Sequence, residues 1–202
     1  MIHLYPGMGA TARMYAPPWN ELDGVTFHDW PTWKGESEIA DFAKRLIVEH
    51  RIVDGDCAAG SSLGGIVASE IGSHVRLRTV ILIGSAARKE EIHRLISALR
   101  PLFPLAPLPF LKALSGKIPN DLTRMFSNSD PAFIKAMAAA IFRWNGLTDN
   151  VPRFRIHGRK DRIIPRPPGV DHLIEGGHLI AMTHARECVE AIREHLAPER
   201  AK

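Results

Sequence analysis

The sequence predicts an α/β fold: a mostly parallel sheet of about six strands, with helices on both faces and a helical cap. Three observations predict it. Short β-type runs alternate with helical ones; the helical runs are apolar on one face; and one long segment breaks the alternation. The candidate strands are Ile2–Tyr5, Val25–Asp29, Asp56–Gly60, Thr79–Ile83, Arg153–His157 and Val170–Ile174. Between them, Ile39, Phe42, Ala43, Leu46 and Ile47 recur at helical spacing, as do Ala185, Cys188, Val189, Ile192 and Leu196. Each set gives a helix one face to bury. The run Leu63–Val75 directly follows a strand and carries Gly64, Gly65 and Ala68, small residues that let a helix lie close to a sheet.

From Arg88 to Leu147 the alternation stops. An amphipathic segment (Ile92, Leu95, Ile96, Leu99) leads into a stretch holding Pro101, Pro104, Pro107 and Pro109, and a second helical pattern follows with Ile134, Met137, Ala138, Ile141 and Phe142. Crossover helices in α/β units are much shorter than this, so residues 88–147 are read as a helical cap inserted into a core formed by residues 1–87 and 148–202. Its apolar residues, among them Leu102, Phe103, Leu105, Leu108, Phe110 and Leu111, suit a hydrophobic ligand group.

Composition narrows the class further. With 202 residues, 45% of them hydrophobic and 24% charged, the chain suits one globular domain and neither a disordered nor a fibrous one. The start, Met1-Ile2-His3-Leu4-Tyr5-Pro6, lacks the basic and apolar regions of a leader, and no apolar run is long enough for a membrane span, so a cytoplasmic protein is expected. Cys57 and Cys188 match no metal-ligand spacing and are expected as buried reduced thiols, a single disulfide being the alternative. The net charge of +4 is spread along the chain without an aromatic-basic motif, which argues against a nucleic-acid partner.

The chemistry is concentrated in a few short motifs. Gly60-Ser61-Ser62-Leu63-Gly64 is a G-x-S-x-G between a strand-like and a helix-like run. That spacing suits a sharp strand-to-helix turn that exposes the central hydroxyl at a helix N-terminus, where free amides and the helix dipole favour negative charge. A neutral serine needs a neighbouring imidazole to take its proton, and the imidazole needs a carboxylate to fix its tautomer. Asp161, in His157-Gly158-Arg159-Lys160-Asp161, and His178, in Gly176-Gly177-His178, each follow a strand-like run and occur in the order serine, acid, histidine. His184 is the rival base, only six residues on; the other histidines are assigned structural or solvated roles. Pro6-Gly7-Met8-Gly9, directly after the first strand, suits an oxyanion loop, with the amides of Met8 and Leu63 as donors.

Taken together, these motifs resemble the α/β-hydrolase superfamily, in particular its small capped carboxylesterases and related acyl hydrolases. The resemblance runs from Pro6–Gly9 through residues 60–65 and the His-Gly-x-x-Asp-x-x-x-Pro of 157–165 to Gly176–His178. Two departures stand out: the oxyanion loop reads Pro6-Gly7 where the family usually has His-Gly, and the chain starts at what would be the family's third strand. The second leaves a sheet edge open to homodimerisation.

The resemblance implies hydrolysis of a carboxylic ester or thioester through an acyl-enzyme, an apolar acyl group being favoured, with no metal or organic cofactor. Three other readings stay open. The same three residues serve C–C bond hydrolysis or lyase chemistry in some relatives. An acidic acyl carrier could meet Arg88, Lys89, Arg94 and Arg100. A catalytically silent relative would bind a ligand or protein instead.

Overall fold

The computed structural model describes residues 1–92, 120–148 and 150–197. Six strands, β1 (Ile2–Tyr5), β2 (Val25–Phe27), β3 (Cys57–Ser61), β4 (Thr79–Ile83), β5 (Arg153–Gly158) and β6 (His172–Ile174), form one sheet in the order β2-β1-β3-β4-β5-β6. Every neighbouring pair is parallel. β2 and β6, at the two edges, stop after three residues each, shorter than the runs the sequence predicts there. Past Phe27 only His28 N still donates, to Leu4 O at 3.0 Å.

Parallel strands need both faces covered. On one face α1 (Ile39–Glu49) and α2 (Leu63–Gly72) pack over Tyr5, Ala58, Val80 and Leu82. α1 buries Ile39, Phe42, Ala43 and Leu46, a stripe at the 3-and-4 spacing of a helix half in water. α2 is buried on nearly every side, matching its lack of a polar face. The other face, through Leu4, Ala59, Ile81, Ile83 and Ile156, is covered by Trp19 and by the C-terminal pair α5 (Ile180–Thr183) and α6 (Ala185–Leu196). Cys57 and Cys188 are both buried and free, and burial pushes the Cys188 thiol up to about 12.

Of the segment read as a cap, the amphipathic and proline-rich stretch at 93–119, with its apolar residues and with Arg94 and Arg100, lies outside the described residues. The remainder contains α3 (Asn120–Ser127) and α4 (Pro131–Ile141). α4 starts at Pro131, and the Asp130 carboxylate caps it by accepting from Ala132 N at 2.8 Å. Its Phe133 and Met137 join the same apolar cluster as Phe42, with the Phe42 and Phe133 rings 5.4 Å apart, so this helix packs directly on the core. Among the described residues no helix is long and apolar enough to cross a membrane.

Candidate functional site

β3 ends in a turn that leaves no room for side chains two positions before and two positions after Ser62. A Cβ on Gly60 would lie 2.2 Å from the carbonyl carbon of Gly64, and one on Gly64 would lie 2.2 Å from Tyr5 O. Between them Ser62 adopts φ 53°, ψ −116°, a conformation that costs a non-glycine residue on the order of 1–3 kcal/mol. Long-range contacts hold it there: Ser62 N donates to Ile83 O at 3.1 Å, and the Ser85 hydroxyl donates to Ser62 O at 2.7 Å. Ser62 is also the N-cap of α2, so its hydroxyl stands at the positive end of that helix.

The loops after β5 and β6 bring the acid and the histidine to the same rim of the sheet. Their close approach requires glycine, since a Cβ on Gly158 would lie 2.2 Å from Gly177 O. His178 Nε2 stands 3.0 Å from Ser62 Oγ, and His178 Nδ1 stands 2.8 Å from Asp161 Oδ2. The arrangement that satisfies both places the proton on Nδ1, donating to Asp161, and leaves Nε2 to accept from the serine. Asp161 Oδ1 accepts from Ile163 N at 2.8 Å and Ile164 N at 2.9 Å. Burial pushes the Asp161 carboxyl up, but the charge and hydrogen bond of His178, with the Ile164 amide, outweigh it and hold the group below the ordinary carboxylate value. A buried anion therefore faces the imidazole. His184 lies apart from this chain: its Nδ1 is 2.8 Å from Thr183 Oγ1.

The loop after β1 lies against the serine turn, a Cβ on Gly7 falling 3.8 Å from Ser62 Cβ. Gly7 N donates to Met14 Sδ at 3.3 Å, and Trp30 Nε1 donates to Gly7 O at 3.1 Å, fixing the peptide units on both sides of Gly7. The amides of Met8 and Leu63 have no hydrogen-bond partner among the described residues. α3 covers the loop from outside: Phe126 is in contact with Gly9, and the Thr11 hydroxyl donates to Met125 Sδ at 3.1 Å.

Three contributors were not singled out in the sequence. His157, four residues before Asp161, is buried, with Nε2 2.8 Å from Ile164 O and 3.4 Å from Asp161 Oδ2. Its place in the motif with Asp161 was the available signal. Ser85 and Trp30 reach the site only through tertiary contacts and left no local signal.

Comparison with known proteins bears on the fold and the family. No curated protein matches the chain. Among solved structures it is similar to a thermophilic esterase from Thermogutta terrifontis, with 21% identity, a TM-score of 0.75, and 96% of this chain and 88% of that one covered. It is also similar to a hydrolase from Oleispira antarctica, with 17% identity, a TM-score of 0.77 and coverage of 96% and 89%. A third similar structure is the type II thioesterase BorB from the borrelidin biosynthetic cluster, with 17% identity, a TM-score of 0.67 and coverage of 97% and 92%. At these identities the likeness is one of fold. A family profile matches residues 1–191, nearly the whole chain, and by that match the protein belongs to the Alpha/beta hydrolase family.

Proposed function

We propose that the protein is a serine hydrolase that cleaves a carboxylic ester or thioester, with Ser62 as nucleophile, His178 as general base and Asp161 as the group that orients it. The observation that carries the reading is the bridging imidazole of His178, 3.0 Å from Ser62 Oγ on one side and 2.8 Å from Asp161 Oδ2 on the other. Ser62 Oγ attacks the carbonyl carbon as its proton passes to His178 Nε2. The carbonyl π pair moves onto oxygen, where the amides of Met8 and Leu63 receive the charge. The pair returns, the alcohol or thiol leaves with the proton from His178, and water activated by the same imidazole releases the acid and restores Ser62.

The apolar surroundings of the loop, including Trp30 and Phe126, favour an apolar acyl group. The similar structures described as esterases and as a thioesterase fit the same class of substrate.

The test is a chain-length series of p-nitrophenyl esters on wild type and Ser62→Ala, combined with labelling by a fluorophosphonate. Wild type should turn over at least one ester and take the label on Ser62, and Ser62→Ala should lose about three to six orders of magnitude in kcat. A folded wild type that neither labels nor hydrolyses any member of the series overturns the reading in favour of a binding protein.

A further inference from the structure

β1 and β3 run side by side until one turns into the Pro6–Gly9 loop and the other into the serine turn. In a parallel ladder, amides two apart on β3 donate across to β1. Starting from Cys57 N on Met1 O at 2.8 Å, that series passes Ala59 and His3 and ends with Ser61 N opposite Tyr5 O. A third group stands at this last rung. The Tyr15 hydroxyl accepts from Ser61 N at 3.2 Å and donates to Tyr5 O at 2.5 Å, and all three residues are buried.

The Tyr5–Pro6 peptide has no other polar handle, because proline contributes no N–H. Holding the Tyr5 carbonyl therefore fixes how the loop leaves β1. Gly64, on the first turn of α2, presses on the same carbonyl, a Cβ there falling 2.2 Å from Tyr5 O. The Tyr15 ring is itself held, stacked on Phe27 with centroids 5.7 Å apart and edge-on to Trp19 at 5.0 Å. Trp19 is anchored in turn, its Nε1 donating to Ala181 O at 2.7 Å. Burial raises the Tyr15 phenol well above its ordinary value, outweighing the Ser61 amide, so the hydroxyl keeps its proton and donates.

We propose that Tyr15 is a positioning residue for acyl transfer, its hydroxyl fixing the spacing between the Met8 and Leu63 amides that receive the oxyanion; the inference rests on the hydrolase reading. Met8 lies three residues past Tyr5, and Leu63 lies two past Ser61, so each donor follows closely on one of the two groups that Tyr15 joins. Oxyanion donors act at about 2.7–3.1 Å from the charged oxygen, so a small shift at this rung weakens binding of the transition state. The ground-state carbonyl carries less charge and is affected less.

Tyr15→Phe keeps the ring and removes the hydroxyl. Its kcat on a p-nitrophenyl ester is counted per Ser62 titrated by a fluorophosphonate, so that unfolded protein does not register. That kcat should fall about ten- to hundredfold with KM within about twofold, somewhat less than the loss of a whole oxyanion donor. A trifluoromethyl ketone, whose adduct with Ser62 places an oxyanion in the same position, should bind more weakly by a similar factor. Phe27→Leu, which loosens the packing of the ring and leaves its hydroxyl, should lower Tm and keep kcat per titrated site. Wild-type kcat per site in Tyr15→Phe, unchanged affinity for the trifluoromethyl ketone, or an equal loss of kcat in Phe27→Leu overturns the proposal while leaving the hydrolase reading intact. A Tyr15→Phe chain with no titratable Ser62 assigns the hydroxyl to folding alone and overturns it as well. A wild type that neither labels nor turns over removes the hydrolase reading and this proposal with it.

Discussion

His157 and Asp161 face each other across the loop that carries the acid. His157 Nε2 is 3.4 Å from Asp161 Oδ2 and 2.8 Å from Ile164 O, while Asp161 Oδ1 holds the amides of Ile163 and Ile164. One imidazole nitrogen thus latches the far end of the loop and borders the oxygen that accepts the His178 Nδ1–H hydrogen bond. Burial lowers the His157 pKa, outweighing the hydrogen bond to Ile164 and the nearby Asp161 charge, so the ring stays neutral and donates from Nε2.

Replacing His157 by alanine should therefore loosen Asp161 without touching substrate. A buried acceptor left unsatisfied costs about 1–3 kcal/mol. The expected result is a fall in kcat of about ten- to hundredfold with KM nearly unchanged, and partial recovery in His157→Gln, whose amide can donate in the same direction. Equal kcat in the alanine and glutamine variants would count against a positioning role.

Asp161→Asn tests the tautomer argument directly. An amide at this position can present an N–H to His178 Nδ1, favouring the ring form with its proton on Nε2, which cannot accept from Ser62. A related serine-protease substitution costs about four orders of magnitude in kcat, and a loss of about three to four orders is expected here. Fluorophosphonate labelling should slow in parallel. Wild-type turnover in a correctly folded Asp161→Asn protein would exclude the acid from the mechanism.

Much of this site was legible because its signals are local. Glycines two positions either side of Ser62, and the loops at Asp161 and His178, reveal themselves through spacing within a few residues. The contacts of Ser85 with Ser62, and of Trp30 with Gly7, span 23 residues each, and nothing in either neighbourhood marks them. Strand order produces such pairings, and β2-β1-β3 is not written in any one segment. The edge strands were overextended for a related reason. Val170–Ile174 reads as five strand residues, but only His172–Ile174 pair in register with β5, Asp171 adding a single amide bond to Arg155 O at 3.1 Å.

The strain at Ser62 makes a stability prediction separate from activity. Glycine accepts φ 53°, ψ −116° with little penalty, whereas alanine keeps the clash. Against that gain stands the extra chain entropy of glycine, about 0.5–1 kcal/mol. Ser62→Gly should thus be more stable than Ser62→Ala by about 1 kcal/mol, roughly 2–4 °C in Tm for a chain of this size. Gly64→Ala goes the other way, since its Cβ would meet a backbone oxygen at 2.2 Å, and a Tm loss of several degrees is expected. Thermal unfolding by circular dichroism ranks the three; a Gly64→Ala protein as stable as wild type would contradict the packing described for α2 on β1.

A second cluster, remote in sequence, governs behaviour in mild acid. His3 on β1, His28 after β2 and His50 after α1 stack beside Tyr5, with the His28 and His50 rings 3.9 Å apart. His3 Nδ1 is 3.0 Å from His28 Nε2, and Tyr5 OH is 2.9 Å from His50 Nδ1. Asp56 is the carboxylate on His3, at 3.4 Å, and the Met1 amine competes for it at 2.8 Å. Burial, reinforced by the neighbouring rings, pushes His28 down to about 3, and burial also lowers His3 and His50.

The sign follows from linkage. All three folded values lie below the unfolded 6.5, so the unfolded chain binds protons first. The stability is fully present above about pH 6.5 and is lost as pH falls towards 3. His3 is buried but His28 and His50 are partly exposed, so solvent screening reduces the effect to on the order of 1–3 kcal/mol. Most carboxylates stay ionised down to about pH 5, so a loss between 6.5 and 5 reports the histidines. Urea midpoints should be level from pH 8 to 7 and decline between 6.5 and 5, and His28→Phe, which keeps a flat ring against both His50 and Tyr5, should flatten that decline. A midpoint that holds constant down to pH 5 in the wild type would show that the stack accepts protons without cost.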